Sequence, residues 1–386
     1  MDIAIIGGGA SGLIAANYLK RQKVDANITI YERNKGLGRK ILASGNGKCN
    51  FMNYKALPFD YNNYDFMKSL FLRYPVDTVL NYFQCLGLIF KFDSEGRMYP
   101  VSESSETILK LLTDDLTDVN IRLNETVISI KESSKKIIIN NTDAYDYVII
   151  SSGSNASIDK KKVASTYKYL EALNLGMTDI RPGLVGFKVK NDIKMLSGYR
   201  TKAMVSLFLE DNLVKREFGE VIFKDDGISG ICVMDLSRYY EDGLSFTLGL
   251  NLLTPKTELV ESMEVRASKN KDPRYYLAGA LHPKMIDFLI KKGITNILEV
   301  ADFLQDFRLD IKGLYDMELA QVALGGIKLE EINEDFSLKK NEHIYVAGEV
   351  LDIDGKCGGY NLLFAFLSGL TVAKSLEEKL NEISNQ

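Results

Sequence analysis

The sequence is poor in the residues on which several common chemistries depend. Its two histidines, His282 and His343, lie in no suggestive cluster, so neither a histidine-centred acid–base mechanism nor a zinc site is expected. Its four cysteines form no C-x-x-C pair and have no metal-type spacing, a pattern typical of reduced thiols in a cytosolic protein. No metal is therefore predicted.

Charge of one sign and long apolar runs are also scarce. The formal net charge is −4 and the pI is near 5.6, and no basic tract stands out, so nucleic acid is not expected as a main partner. No apolar run reaches the length of a membrane span, and the N-terminus lacks the basic start of a signal peptide. We therefore expect a cytoplasmic protein with a small-molecule substrate, as a monomer or small homo-oligomer.

The first dozen residues carry the strongest signal. The apolar run Ile3–Ile6 predicts a buried strand, Gly7–Gly12 forms a G-x-G-x-x-G turn, and Leu13–Arg21 has helical spacing. Such a turn lets a pyrophosphate approach the backbone and the helix N-terminus. A second strand ends at Glu32, about twenty residues further on, where a carboxylate can bind a ribose diol. This predicts a dinucleotide site without distinguishing NAD from FAD.

The segment after this carboxylate mixes glycines with cations. Residues 33–50 contain Arg39, Lys40 and several glycines, a composition typical of a loop that wraps an anion rather than of a surface connection. Cys49 lies in this segment and Cys357 near the C-terminus, but no pair spacing indicates a disulfide relay. We interpret both as small buried thiols.

A similar strand, glycine turn and helix close the chain. Ile344–Ala347 predicts a core strand, Gly348–Asn361 is rich in glycine and acids, and Leu362–Leu380 predicts a long apolar helix. Gly358 and Gly359 would let the backbone approach a cofactor closely, and the helix N-terminus would stabilise negative charge. This predicts a second backbone contact with the same cofactor.

Hydrophobic periodicity changes along the chain. Tyr147–Ile150 is a fully apolar strand that ends in small residues, which fits a parallel sheet with a ligand at the carboxyl ends of its strands. Between Leu184 and Leu253 apolar residues alternate between turn signals and predict an antiparallel sheet or small barrel. Thr254–Pro255 then begins several short helices that extend to about Gln305.

These changes predict an α/β protein with an inserted domain. The dinucleotide-binding domain would comprise residues 1–183 and 326–386, and the insertion, a substrate or lid domain, residues 184–325. Shorter strands are predicted at Val127–Ile130 and Lys136–Ile139.

The chain resembles the BaiN/YhiN-type bacterial flavoproteins, a family of NAD(P)/FAD-dependent oxidoreductases. The resemblance rests on Gly7–Gly12, Gly38–Asn50, Gly348–Leu362, Tyr99–Ser102 and Ala320–Gly326. It implies FAD bound by a two-dinucleotide-binding, Rossmann-like domain, with an inserted domain that combines an antiparallel β-barrel-like part with helices.

The resemblance also implies which residues would hold FAD. Gly7–Gly12 would bind the pyrophosphate, Glu32 the adenosine ribose, and the Val127 backbone the adenine, while Gly359–Leu362 would lie at the flavin edge. The implied cofactor-binding residues are Gly7, Gly9, Ala10, Ser11, Gly12, Glu32, Arg33, Arg39, Lys40, Ser44, Gly45, Cys49, Asn50, Val127, Gly153, Gly348, Glu349, Asp352, Gly359, Tyr360, Asn361 and Leu362.

The sequence departs from the family pattern in three places. Lys48 stands where the family commonly has arginine, and Asn46 where it has glycine. Residues 155–162, with Lys160–Lys162 predicted as a solvated loop, replace a loop rich in proline, threonine and glycine. If this loop borders the substrate pocket, a relative's substrate does not transfer to this chain.

The predicted function is an FAD-dependent oxidoreductase, a reductase of a small activated organic substrate by hydride transfer at flavin N5. No second G-x-G-x-x-G is present, so NAD(P)H would bind only transiently as electron donor. The alternatives are an amine or amino-acid oxidase that uses oxygen, and a non-catalytic flavin-binding redox sensor. No catalytic residue is assigned, since protons could come from Tyr360, Lys48 or water.

Overall fold

The computed structural model describes residues 1–133, 136–157, 167–252 and 255–384. The predicted solvated loop at Lys160–Lys162 and the predicted helix start at Thr254 lie outside these ranges. Contacts between Cα atoms divide the chain into unit 1, Met1–Arg181 with Val322–Gln386, and unit 2, Pro182–Gln321. The sequence analysis places the corresponding boundaries after residues 183 and 325.

The β-strands are numbered in chain order. They are β1 Asp2–Ile6, β2 Asn27–Glu32, β3 Met52–Asn53, β4 Phe90–Phe92, β5 Arg97–Pro100, β6 Asn120–Leu123, β7 Ile130–Ser133, β8 Lys136–Ile139, β9 Asp143–Tyr145, β10 Tyr147–Ile150, β11 Arg181–Gly183, β12 Phe187–Val189, β13 Arg200–Leu209, β14 Asn212–Phe223, β15 Gly227–Ser229, β16 Phe246–Asn251, β17 Phe307–Leu314, β18 Val322–Leu324, β19 Ser337–Leu338 and β20 Asn341–Val346.

The α-helices are numbered in the same way. They are α1 Ala10–Arg21, α2 Arg39–Ala43, α3 Tyr64–Arg73, α4 Asp77–Cys85, α5 Ser105–Thr113, α6 Lys168–Glu171, α7 Ile231–Leu236, α8 Lys256–Ala267, α9 Pro273–Leu277, α10 Pro283–Lys291, α11 Ile297–Gln305 and α12 Tyr360–Ser384.

Unit 1 is built on a six-stranded sheet in the order β19-β20-β10-β1-β2-β6. The five strands from β20 to β6 are parallel, and β19 is antiparallel to β20. The central strands are apolar because both faces of the sheet are covered; Ile3, Ile5 and Ile149 are fully buried. Helices α1 and α12 pack closely, since a Cβ on Gly369 would lie 2.4 Å from the Ser11 carbonyl oxygen.

The carboxyl ends of the central strands meet at one edge of this sheet. The Gly7 N–H donates to the Tyr31 carbonyl at 2.8 Å, the Ser151 N–H to that of Ile6 at 2.9 Å, and the Ala347 N–H to that of Ile150 at 2.9 Å. The glycine turn after β1 and the segments after β2, β10 and β20 therefore start side by side. In open α/β sheets this edge is where ligands bind.

Unit 2 contains a closed antiparallel barrel in the order β12-β15-β14-β13-β16-β17. Inward residues alternate with outward ones; on β17, Phe307, Leu309 and Ile311 are buried while Arg308 and Asp310 are exposed. Helices α8 to α11 contribute apolar residues to the same core. The predicted fold class, a Rossmann-like domain with a barrel-like and helical insertion, is confirmed.

The structure differs from the sequence analysis at two elements. The run Val127–Ile130 is not a strand, because the Asn140 side chain accepts from the Ile128 N–H at 2.8 Å and donates to the Thr126 carbonyl at 3.1 Å. These bonds take the place of a strand ladder, and β7 begins only at Ile130. The sequence analysis also missed β17, although its alternation of apolar and charged residues is the usual strand signal.

Two features are absent from the described ranges. No helix there is both long and apolar enough to cross a membrane. Nor do three or more His, Cys, Asp or Glu side chains in those ranges form a group that could hold a metal ion.

Candidate cofactor site

The first glycine motif, residues 7–12, connects β1 to α1. Gly7 has φ +109°, and a Cβ there would lie 2.4 Å from the Ser151 carbonyl oxygen, so only glycine fits. A Cβ on Gly12 would lie 2.1 Å from the Gly7 oxygen, whereas one on Gly9 would meet no atom within 4 Å. Because the first N–H groups of a helix have no acceptor within it, the open side at Gly9 leaves α1 accessible to an anion.

Glu32 lies beside this turn and is 7% exposed. Its Oε2 accepts from the Gly8 N–H at 3.0 Å, and its Oε1 accepts from Asn34 at 2.8 Å through the backbone and 2.7 Å through the side chain. A carboxylate can accept about four hydrogen bonds, so this one retains capacity for a ribose hydroxyl. The Glu125 N–H donates to the Glu32 carbonyl at 3.0 Å, which brings the segment carrying the buried Val127 to the end of β2.

The second glycine motif, residues 38–50, lies against the first. The Gly38 N–H donates to the Gly8 carbonyl at 2.7 Å. Gly45 and Asn46 have φ +56° and +53° within a short 3-10 turn at Ser44–Gly47. Asparagine tolerates the left-handed conformation better than most residues, which accounts for Asn46 where the family has glycine. This turn is stabilised by the Ser44 carbonyl, which accepts from the Cys49 N–H at 3.1 Å.

The charged and thiol side chains of this motif differ in accessibility. Cys49 is fully buried, and desolvation raises its thiol pKa to about 11, which fits the interpretation of an inert thiol. Arg39 is exposed and, among the described residues, forms no ion pair. Lys48 pairs with Glu103 at 2.8 Å. The hydrogen bond to Glu103 raises the pKa of Lys48, which makes Lys48 a weaker proton donor.

The third glycine motif, residues 348–361, connects β20 to α12. Gly348 has φ +77°, its N–H donates to Ser368 Oγ at 2.9 Å, and a Cβ there would lie 2.5 Å from Ser11 Oγ. Glu349 pairs with Lys40 of the second motif at 2.5 Å. The three motifs are therefore in mutual contact within unit 1.

Asn50 and Gly359 form another contact between the second and third motifs. Gly359 has φ +96°, and a Cβ there would lie 2.6 Å from the Met52 carbonyl carbon and 2.7 Å from Asn50 Oδ1. Asn50 is 8% exposed, yet its Oδ1 has no hydrogen-bond partner among the described residues. A buried acceptor without a partner is costly, so this atom is a candidate acceptor for a donor on a bound molecule.

Two side chains of the third motif already have hydrogen-bond partners. Asn361 Oδ1 accepts from the Gly355 N–H at 2.8 Å, and its Nδ2 donates to the Gly355 and Lys356 carbonyls at 3.0 and 3.2 Å. Asp352 Oδ1 accepts from Asn62 at 3.2 Å. The Asn361 side chain thus fixes the conformation of the glycine turn. Its backbone N–H, at the start of α12, is the part of this residue that suits anion binding.

The remaining predicted residues lie around the three glycine motifs. Gly153 has φ +67°, and a Cβ there would lie 3.9 Å from Glu349 Oε2. Arg33 is half-buried, and desolvation lowers its guanidinium pKa. Tyr360 and Leu362 are half-buried in the first turn of α12. Sequence reasoning missed Ser154 and Asn34, although they lie four and two residues after the ends of β10 and β2, where ligand-binding residues of such sheets collect.

The family follows from a comparison along the whole chain. The model described as the HI0933-like protein Rossmann domain matches residues 1–375. The chain belongs to the HI0933-like family. The resemblance to the BaiN/YhiN-type flavoproteins is thereby confirmed, and this HI0933-like chain is an FAD-dependent oxidoreductase.

Individual relatives of this HI0933-like chain carry different names. It is 29% identical over 406 residues to the 3-dehydro-bile acid delta(4,6)-reductase of Clostridium scindens, covering 98% of this chain and 99% of the relative. It is 26% identical to the ribosomal RNA dihydrouridine synthase of Escherichia coli, covering 97% and 98%. Among solved structures, an open flavocytochrome c3 fumarate reductase matches with TM-score 0.49 and 13% identity, covering 98% of this chain and 78% of that one.

Proposed function

We propose that this protein is a flavin-dependent reductase that saturates a carbon–carbon double bond conjugated to a carbonyl group, with NAD(P)H as the transient electron donor. The proposal rests on the reactions that the names of two relatives state. A delta(4,6)-reductase of a 3-dehydro bile acid and a dihydrouridine synthase both add hydrogen to a ring double bond conjugated to a carbonyl group. Both relatives match this chain over nearly their full length, so the shared chemistry is a better guide than either substrate.

We place FAD along the three glycine motifs of unit 1. The open side at Gly9 supports a pyrophosphate at the start of α1, and the remaining acceptor capacity of Glu32 supports the adenosine ribose. The Asn50 Oδ1 atom, buried and without a partner among the described residues, supports a ring N–H donor beside Gly359. The remaining residues of the predicted set lie on the same motifs or directly beside them.

The bound flavin would supply the hydride. The protein would orient the flavin and stabilise negative charge on it. The start of α12 offers the backbone N–H groups of Asn361 and Leu362, because the Leu363 N–H, which donates to the Gly359 carbonyl at 3.0 Å, begins the bonding of the first turn. Such groups, held in place by the fold, stabilise an anion without reorganisation. Unit 2 is our candidate for substrate selection.

A visible spectrum with anaerobic additions tests this function. The purified protein, with FAD added if necessary, should show flavin bands that bleach with NADH or NADPH and recover when a cyclic enone is added. No flavin bands even after FAD addition would refute the proposed site. Bands that ignore NAD(P)H but bleach with amines and yield peroxide in air would replace the reductase with the amine oxidase.

A second candidate is an RNA substrate, favoured by the dihydrouridine synthase relatives from two bacteria. The net charge of −4 argues against tight, sequence-independent binding to phosphates. Unmodified ribosomal RNA, the protein and NADPH should be incubated together and the digested nucleosides analysed by mass spectrometry. Dihydrouridine above a no-enzyme control would support this candidate, whereas turnover confined to small enones would reject it.

A further inference from the structure

Four backbone segments of unit 1 meet at the carboxylate of Glu349. Its Oε2 lies 2.5 Å from Lys40 Nζ, and its Oε1 accepts from Ser154 Oγ at 2.7 Å and from the Ala323 N–H at 3.0 Å. Lys40 Nζ also donates to Ser154 Oγ at 3.1 Å. Lys40 belongs to the second glycine motif, Ser154 to the exit of β10, Ala323 to β18 and Glu349 to the third motif.

This cluster differs from the other cations and acids of the site. The side chains of Lys40 and Glu349 are 39% and 18% exposed, so solvent screens their attraction only in part. Both carboxylate oxygens already have protein donors, and the ammonium already has its counter-charge. Arg39, the adjacent cation, is exposed and unpaired among the described residues, which makes it the better partner for a phosphate.

We propose that Lys40, Ser154 and Glu349 form a charge-neutral tether that positions the second and third glycine motifs around the cofactor. This inference rests on the FAD site proposed above. In this arrangement the three side chains are positioning residues. They hold the two motifs together before the cofactor arrives, so less ordering remains to be done on binding.

The tether has a consequence for cofactor affinity. Removing either charged partner leaves the other charge poorly compensated and frees one motif from the other. Replacing Lys40 by methionine or Glu349 by glutamine should each raise the FAD dissociation constant about tenfold. Because each change breaks the same interaction, the double variant should bind FAD better than the product of the two single effects predicts.

The tether also has a consequence for the redox potential, which a purely structural contact would lack. Reduction adds negative charge to the bound flavin, so nearby uncompensated charge shifts its midpoint potential. Glu349→Gln leaves the lysine charge uncompensated and should raise the potential. Lys40→Met leaves the carboxylate uncompensated and should lower it. The double variant and Ser154→Ala, which change no net charge, should stay near the wild-type potential.

The test uses the full chain, with FAD removed and then titrated back. FAD binding is followed by quenching of flavin fluorescence, and the midpoint potential is measured against a reference dye. Thermal unfolding of each apo-variant shows whether it is folded. The matched control is Lys110→Met, which removes one partner of the exposed Lys110–Asp114 pair at the C-terminal end of α5, 2.9 Å long, and should change neither quantity.

The outcomes separate the tether from the FAD site itself. Opposite shifts of potential in the two single variants, with non-multiplicative losses of affinity, support the tether. Shifts in the same direction, multiplicative losses, or wild-type behaviour of both variants would overturn it while the FAD site stands. A wild-type protein that binds no FAD would overturn the FAD site, and with it the tether's effect on a cofactor.

Discussion

The two strand–glycine–helix turns of unit 1 begin their helices in different surroundings. At the start of α1, a Cβ on Gly9 would meet no atom within 4 Å. At the start of α12, a Cβ on Gly359 would lie within 2.7 Å of both Met52 and Asn50. The first turn is therefore open to a ligand, whereas the second is packed against another motif and brings a buried acceptor to the helix start.

This difference shows that a glycine-rich turn before a helix can have two separate causes. A glycine that touches nothing leaves space for a ligand, and its replacement should affect binding. A glycine that touches backbone allows close packing, and its replacement should affect folding. The two effects can be separated by single alanine substitutions with matched controls.

The largest effect on folding is expected at Gly359. Alanine there must adopt φ +96° and push against Met52 and Asn50, so the free energy of unfolding should fall by about 3 kcal/mol, as measured by urea titration. Gly87→Ala is the matched control, because Gly87 has φ +86° but no atom within 4 Å of its Cβ position. Equal losses in the two variants would show that backbone strain alone matters and that the packing is unimportant.

A smaller loss is expected at Gly12. Its backbone is not left-handed, so Gly12→Ala adds steric clashes alone, with the Gly7 oxygen at 2.1 Å and Ser151 Oγ at 2.6 Å. The free energy of unfolding should fall by about 2 kcal/mol. Gly36→Ala, with no atom within 4 Å of its Cβ position, should lower the free energy of unfolding by less than about 0.5 kcal/mol. A Gly12→Ala protein as stable as the Gly36→Ala control would mean that α1 can move away from β1.

The same contrast explains what could be predicted from the sequence. The strand, turn and helix at residues 3–21 follow from a local pattern of apolar residues and glycines, and they are found where the pattern indicates. The tether at Glu349 could not be predicted, because Lys40 and Ser154 lie 309 and 195 residues away from it. Which donors a carboxylate meets depends on strand order, which local periodicity does not determine.

The errors had local causes. The apolar run at Val127 looked like a strand, but the Asn140 side chain binds the backbone on both sides of it. Side-chain bonds of this kind compete with strand ladders and have no signature in hydrophobic periodicity. β17 was overlooked in a stretch dominated by helices, although its alternation was visible in the sequence.

Almost no effect on folding is expected at Gly9, where the change should appear in binding. The free energy of unfolding of Gly9→Ala should lie within about 0.5 kcal/mol of the wild-type value, because a Cβ there meets no atom within 4 Å. The methyl group would occupy the space proposed for the pyrophosphate, so the FAD dissociation constant should rise at least about tenfold. The titration that follows flavin fluorescence measures it, with Gly36→Ala as control. Unchanged FAD affinity would show that the phosphates do not approach this turn.

The smallest effect is a chemical one, and it tests how firmly the second and third motifs are packed. Cys49 precedes Asn50 in the segment that contacts Gly359, and burial raises its thiol pKa to about 11. At pH 8 only about one part in a thousand would be thiolate, the form that reacts. Iodoacetamide should therefore label the exposed Cys85 but not Cys49, as peptide mass spectrometry would show.

In urea both cysteines should react, and in Gly359→Ala the labelling of Cys49 should become faster. Rapid labelling of Cys49 in the native wild type would mean that the packing at Gly359 opens readily, and the contrast between the two turns would then be one of degree.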